Sequence, residues 1–371
     1  MTDKIFEQRI SALRKEISKT ELDTIIILSD ENRMYLSGYN GVDGRYDESA
    51  GALVITQNDL ILACDSRYTT QAEKEASLFS VICYEKSFIK ELPKILEAIN
   101  ASKIGIESER LTFKNYERIM QEIADTKLNV QISSDNNLLK NLRLKKDASE
   151  ISIIKKALQI SEDSFLQLKG LLKEGMTEKK AAWTFEKLMR ENGAESLSFE
   201  VIAASGENSA LPHAIPGNRK IKKNEPLLFD FGVRLDGYCS DTSRTLIMGE
   251  STPEFEKIYN IVFQAQKMAT EQIKPGIKAS AIDKIARDHI DNTEYKGKFG
   301  HGLGHGVGIV IHEAPRLSKF DDSILEPGMV VTVEPGIYVP GWGGIRLENM
   351  IEVTETGANV LNTLNYDDYL I

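Results

Sequence analysis

Pro226-Leu227-Leu228-Phe229-Asp230-Phe231-Gly232, and close behind it Gly237-Tyr238-Cys239-Ser240-Asp241-Thr242-Ser243-Arg244-Thr245, form the stretch on which the reading turns. Each half reads as a strand with an Asp set into it, and Leu235-Asp236-Gly237 between them has the composition of a turn. A charge inside an apolar strand needs a partner. With a Leu235-Asp236 loop the hairpin sets Asp230 directly opposite Asp241; with an Asp236-Gly237 loop the two become diagonal neighbours on the same face. Both registers bring two carboxylates together, an unfavourable pair unless a proton or a cation sits between them. A shared metal is the economical reading, and a solvated edge hairpin is its rival.

Further along, the pattern repeats. Met329-Val330-Val331-Thr332-Val333-Glu334-Pro335-Gly336 runs apolar into a Glu, and Gly344-Ile345-Arg346-Leu347-Glu348-Asn349 offers another after a Gly-rich connection. Between the two hairpins lies Gly300-His301-Gly302-Leu303-Gly304-His305-Gly306-Val307-Gly308, then Ile311-His312-Glu313-Ala314-Pro315. A dinucleotide-binding loop is excluded because Val307 occupies the third glycine position and Pro315 opposes a following helix. A zincin helix is excluded because His301 is followed by Gly302 rather than Glu. A plain flexible loop leaves the acidic strands on both sides unexplained.

Two Asp, two Glu and one His make an oxygen-rich donor set suited to two divalent ions about 3.5–4 Å apart. Hard ligands favour Mn2+, while the Irving–Williams order lets Zn2+ or Co2+ take its place. Two such ions acidify a water held between them, and its natural target is an ester or amide carbonyl, so the reaction class is hydrolysis. His213 and His312 are candidates for handling a proton or stabilising the oxyanion.

The 371 residues suffice for two domains. The first 135 or so alternate helix and strand: a helix over Ile5–Ile17, a buried strand at 24–28, a hairpin of 52–56 with 60–64, strands at 79–84 and 103–107. We place an α/β domain at 1–135, a linker at 136–146 and a second domain at 147–371, which opens with a long helix from Asp147 to about Lys173 and a second over 177–192 capped by Thr177. Lys and Arg total 46 against 56 Asp and Glu, a net charge of -10, the wrong sign for binding a phosphate backbone, so nucleic acid is not an expected partner. The charged Met1–Ile17 segment is no signal peptide, no run approaches the roughly 18 apolar residues of a membrane span, and the three cysteines show no CxxC spacing. These features point to the cytoplasm.

The sequence resembles the metallopeptidases of the pita-bread fold, in the Xaa-Pro aminopeptidase and prolidase branch. The resemblance rests on Asp230 in FDFG, Asp241 in SDTSRT, His305 in GLGHGVG, Glu334 in VEPGIY and Glu348 in GIRLEN. It spans the chain, since Tyr35-Leu36-Ser37-Gly38-Tyr39 and Asp65-Ser66-Arg67-Tyr68 are weaker marks of a creatinase-type N-terminal domain. It implies an α/β (α+β) chain in which Asp230 binds one metal, His305 and Glu334 the other, and Asp241 and Glu348 bridge. It further implies that Glu334 assists proton transfer, His312 stabilises the carbonyl or intermediate, His213 binds substrate and shuttles a proton, and His301, Tyr338 and Arg346 border a proline pocket. The implied activity is removal of an N-terminal residue from Xaa-Pro peptides by an aminopeptidase. An Xaa-Pro dipeptidase is the alternative, with Arg346 as the group for a free proline carboxylate, and a protein-binding module of the same fold is a third. Methionine aminopeptidase is disfavoured by the extra N-terminal domain, and creatinase by the complete ligand set. The resemblance also implies a homodimer.

Overall fold

The computed structural model describes residues 2–42, 49–134 and 138–371, and the chain divides into two compact units, residues 1–143 and 144–371. In the first unit a six-stranded sheet is built from β1 (Thr24–Ile27), β2 (Ala52–Thr56), β3 (Leu60–Cys64), β4 (Ser80–Cys83), β5 (Lys103–Ile106) and β6 (Gln131–Ser134), in the order β4-β3-β2-β1-β5-β6. β2 pairs antiparallel with β1 and β3, as its short hairpin demands; the other pairings are parallel and span helical crossovers. Helices α1 (Asp3–Ile17), α2 (Asp30–Ser37), α3 (Thr69–Glu75), α4 (Phe88–Ala98) and α5 (Phe113–Ala124) accompany it. Ile26, Val54 and Ile104 of the sheet pack with Leu92 and Leu96 of α4 and Ile119 and Ile123 of α5 into one core.

Most of the expected 136–146 linker is a helix, α6 (Leu138–Leu144); its positions 136 and 137 lie outside the described residues. The second unit opens on α7 (Ala148–Lys169), whose Asp147 and Glu150 form a reciprocal capping box. That helix ends before Lys173, at Gly170, where a residue without side chain costs helix propensity. Next comes α8 (Glu178–Glu191), with the Thr177 hydroxyl accepting from the Lys180 N–H as the capping pattern requires.

Two sheets follow, each backed by a helix pair. The first contains β8 (Ile202–Ser205), β9 (Pro226–Phe231) and β12 (Thr242–Ile247) in the order β12-β9-β8; the short strands β7 (Ser196–Leu197), β10 (Val233–Leu235) and β11 (Tyr238–Cys239) pair among themselves in the order β11-β10-β7. Leu227, Phe229 and Phe231 point toward Phe165 of α7 and Phe185 of α8, where four aromatic rings interlock. Strand alternation therefore turns Asp230 to the opposite face. After α9 (Pro253–Gln272) and α10 (Ala279–Asp291) the second sheet is β14-β13-β15-β18-β19, from β13 (Gly304–Gly306), β14 (Glu313–Leu317), β15 (Val330–Val333), β18 (Asn349–Val353) and β19 (Ala358–Val360). β16 (Gly336–Val339) and β17 (Gly343–Arg346) pair separately. Val331, Val333, Ile337, Ile345, Leu347 and Ile351 face the α9–α10 core, so Thr332, Glu334, Arg346, Glu348 and Met350 face away from it. The stretch around His305 is thus a strand rather than a flexible loop. Among the described residues no helix is long and apolar enough to cross a membrane.

Candidate metal centre

The turn between Asp230 and Asp241 is Asp236-Gly237, both with positive φ (46° and 79°), and Leu235 pairs with Tyr238. Of the two registers open in the sequence this is the diagonal one: Asp230 pairs with Ser243, and both carboxylates share a face. Gly232 follows Asp230 because the Ser240 carbonyl passes 1.9 Å from where a Cβ would stand.

The second acidic pair is built differently. The ladder Val333–Asn349 and the ladder Gly336–Arg346 keep one register, which sets Glu334 opposite Glu348 in the gap between them. There the backbone turns elsewhere for partners: the Glu334 N–H donates to the Leu303 carbonyl at 2.8 Å and the Glu348 N–H to Ser243 at 3.1 Å. The gap thereby stitches the second hairpin to β12 and to the approach of β13, bringing all four carboxylates and His305 to one place.

Oxygen atoms of Asp241 and Glu348 and a ring nitrogen of His305, all from buried residues, lie within 4.8 Å of one another. His305 Nδ1 is 3.1 Å from the Gly306 carbonyl oxygen, which only accepts, so this nitrogen carries the proton. Nε2 then presents a lone pair 3.6 Å from Asp241 Oδ2 and 3.4 Å from Glu334 Oε1. Burial, with His312 adding to it, pushes the His305 imidazolium down to about 3, so the ring is neutral. A lone pair facing carboxylates is favourable when a proton on one of them or a cation between them joins the two.

Protonation energetics agree. Burial drives Asp241 well above the ordinary carboxylate range, with Glu348, Asp230 and Glu334 adding like-charge repulsion. Glu348 is driven up by burial and then by Glu334 and Asp230. Burial raises Glu334 to about 8 against the opposing pull of Arg346. Asp230 Oδ2 accepts from Arg346 Nη2 at 2.5 Å, whereas its buried Oδ1 has no hydrogen-bond partner among the described residues. The residues present therefore fit divalent ions.

A cavity of about 770 Å³ opens over this cluster, with His213, His301, His305, His312, Arg316 and Arg346 among its lining. His312 packs edge-on against His305 at 4.3 Å between ring centres. His213 is exposed on the loop that follows β8. Tyr338 stands behind the wall: Arg346 Nη1 donates to its hydroxyl at 2.9 Å, and that hydroxyl donates to His301 Nε2 at 2.9 Å, since His301 Nδ1 is committed to the Gly302 carbonyl. Arg346 is 2% exposed and further bound to Ser243 Oγ and the Pro212 carbonyl. A surface salt bridge is not its role, and four of its five N–H donors are engaged, leaving one on Nη2. The sequence reading missed Arg316. It pairs with His305 across β13 and β14, lines the cavity, and its guanidinium has no partner among the described residues. The signal was a lone cation in HEAPR, but a bulge between His305 and Gly306 concealed the register.

Comparison with known proteins follows the same outline. The chain is 35% identical to an Xaa-Pro dipeptidase of Pyrococcus furiosus over 96% of its length and 97% of that protein's. It superposes on the solved structure of an Xaa-Pro dipeptidase from Bacillus anthracis with a TM-score of 0.92 at 35% identity, covering 99% of this chain and 100% of that one. On an X-Pro aminopeptidase from Thermotoga maritima the TM-score is 0.87 at 34% identity, covering 96% and 100%. Residues 9–144 match the creatinase/prolidase N-terminal domain and residues 152–355 match metallopeptidase family M24, so the chain belongs to the M24 metallopeptidases, with a creatinase-type domain ahead of a pita-bread catalytic domain.

Proposed function

We propose that this metallopeptidase is an Xaa-Pro dipeptidase, a prolidase, cleaving the one peptide bond of a dipeptide that ends in proline. Arg316 carries the choice. A dipeptide presents its carboxylate one residue beyond the scissile bond, and an unpaired planar guanidinium in the cavity wall is suited to receive it. Arg346, the group the sequence offered for that carboxylate, has four of its five N–H donors taken by Asp230, Tyr338, Ser243 and Pro212. The names of the Pyrococcus and Bacillus anthracis relatives lean the same way. An Xaa-Pro aminopeptidase, which the sequence put first, is the second reading and has the Thermotoga structure in its favour.

On this reading Asp230, Asp241, His305, Glu334 and Glu348 hold two divalent ions, Mn2+ on the hardness of the donors, with Co2+ and Zn2+ as competitors. Once bound, the ions supply a water acidified to neutral pH and positive charge against the carbonyl oxygen. The side chains do the rest. Glu334 takes the proton of the attacking water, His312 faces the carbonyl oxygen, and His213 meets the substrate from the open side. His301 and Arg346 wall the proline ring, with Tyr338 fixing both. Proline needs such a wall because its amide has no N–H to anchor. The resemblance to the family also carries a homodimer, which sedimentation equilibrium reads directly.

The deciding experiment is hydrolysis of Ala-Pro and Ala-Pro-Ala side by side, after metal removal and again with Mn2+. Metal-dependent cleavage of Ala-Pro alone is the expected result. Release of Ala from the tripeptide would establish the aminopeptidase, and no cleavage of either would remove proline peptides from consideration.

A further inference from the structure

The loop bearing His213 is held by a group the reaction does not use. Glu178, the first residue of α8, is fully buried. Its Oε1 accepts from the Ser205 N–H at 2.7 Å, from Ser205 Oγ at 2.9 Å and from Asn208 Nδ2 at 3.2 Å. Its Oε2 accepts from Asn208 Nδ2 at 3.1 Å and from the Gly217 N–H at 3.2 Å. Ser205 and Gly217 bracket the segment that carries His213, so one carboxylate closes both ends of the loop. Arg219, paired bidentately with Glu225, donates to Ser205 Oγ at 2.7 Å and supplies the nearby positive charge. From the same segment the Pro212 carbonyl receives Arg346. The helix start adds its own donors, with the Glu178 N–H on the Arg219 carbonyl and the Lys179 N–H on Gly217.

We infer that Glu178 is a positioning residue: by clamping Ser205, Asn208 and Gly217 it holds His213 over the metal cluster, and it acts on catalysis through His213. This rests on the reading of His213 as a substrate-handling group. A carboxylate accepts from every donor around it, whereas an amide must turn an N–H toward one of them, so Glu178→Gln leaves a buried donor facing a donor and loosens the loop without adding bulk.

The test is a double-mutant cycle with Ala-Pro on the Mn2+-loaded enzyme, using Glu178→Gln and His213→Ala singly and together, with hydrogen exchange across 205–217 and bound metal measured for each. Expected are a loss of at least tenfold in kcat/KM for Glu178→Gln, less than twofold further loss when it is added to His213→Ala, faster exchange at 205–217, and unchanged metal content. Asn208→Ala, which removes one side-chain donor at a half-buried position, serves if the Gln variant does not fold, with a threefold or greater loss that again vanishes on the His213→Ala background. An equal loss on both backgrounds, or none on the native one, overturns the inference while His213 keeps its role. His213→Ala with native kcat/KM overturns the reading of His213 and this inference with it.

Discussion

Asp230 is divided between two tasks: one oxygen belongs to Arg346 and the other is buried with no hydrogen-bond partner among the described residues. The division gives a guanidinium a place among the clustered carboxylates, where it orients Asp230 and offsets part of the charge. Arg316 is the opposite case, a guanidinium on the cavity wall with no partner among the described residues. Arg316→Ala should raise KM for Ala-Pro at least tenfold with less than a threefold change in kcat, while leaving kcat/KM for Ala-Pro amide unchanged; steady-state kinetics on the two substrates checks this. Asp241→Asn should lose at least one equivalent of Mn2+ by elemental analysis and at least 100-fold in kcat/KM. Its metal-free form should melt no lower than the metal-free native protein, because the change deletes a buried like charge. The clustered carboxylates were legible because a charge inside an apolar strand is rare. Arg316 was not, because its neighbourhood comes from a pairing that a bulge shifts.

The two acidic hairpins show how far pattern reading reaches. Alternation along β9 and along β15 through β18 fixed which side chains share a face, since the apolar residues between them had to reach a core. The choice between two registers needed the turn, where Asp236 adopts a positive φ that an Asp tolerates but does not announce. The gap at Glu334 and Glu348 was illegible for a different reason: its hydrogen bonds go to Leu303 and Ser243, remote in sequence. These carboxylates have a consequence for stability. In the metal-free fold Glu334 holds its proton to about 8, and Asp241 and Glu348 are also raised, whereas in the unfolded chain they ionise near 4. Between those limits the native state binds more protons, so the stability of metal-free protein should fall as pH rises from about 5 to about 8. Mn2+ should flatten that slope. Urea unfolding across this range, with and without the ion, measures it.

At the scale of the molecule, both units were foreseen as mixed helix and strand, and the opening helices of the second unit followed from periodicity and the Thr177 cap. What periodicity could not supply was the assembly of two sheets around one cluster, because that depends on which faces meet. Because the proposed ligands come from both sheets, a bound ion would cross-link them. At a free Mn2+ concentration 100 times its dissociation constant, linkage adds about 2.7 kcal/mol to the state that binds it. Calorimetry should therefore show the melting transition rising with Mn2+ and returning on chelation.

The shared register of the β15–β18 and β16–β17 ladders also decides where the chain can change length. One extra residue at Pro340–Gly341 merely enlarges the turn joining β16 to β17, since the ladders on either side have already closed. The same residue inserted at Pro335 or Leu347 would rotate β16 or β17 by one position, sending Ile337 or Ile345 out of the core and Tyr338 or Arg346 into it. Between Glu334 and Glu348 the chain should therefore accept a change of length only at the hairpin tip, and the spacing from VEPG to the tip, and from the tip to RLEN, is fixed by the two ladders.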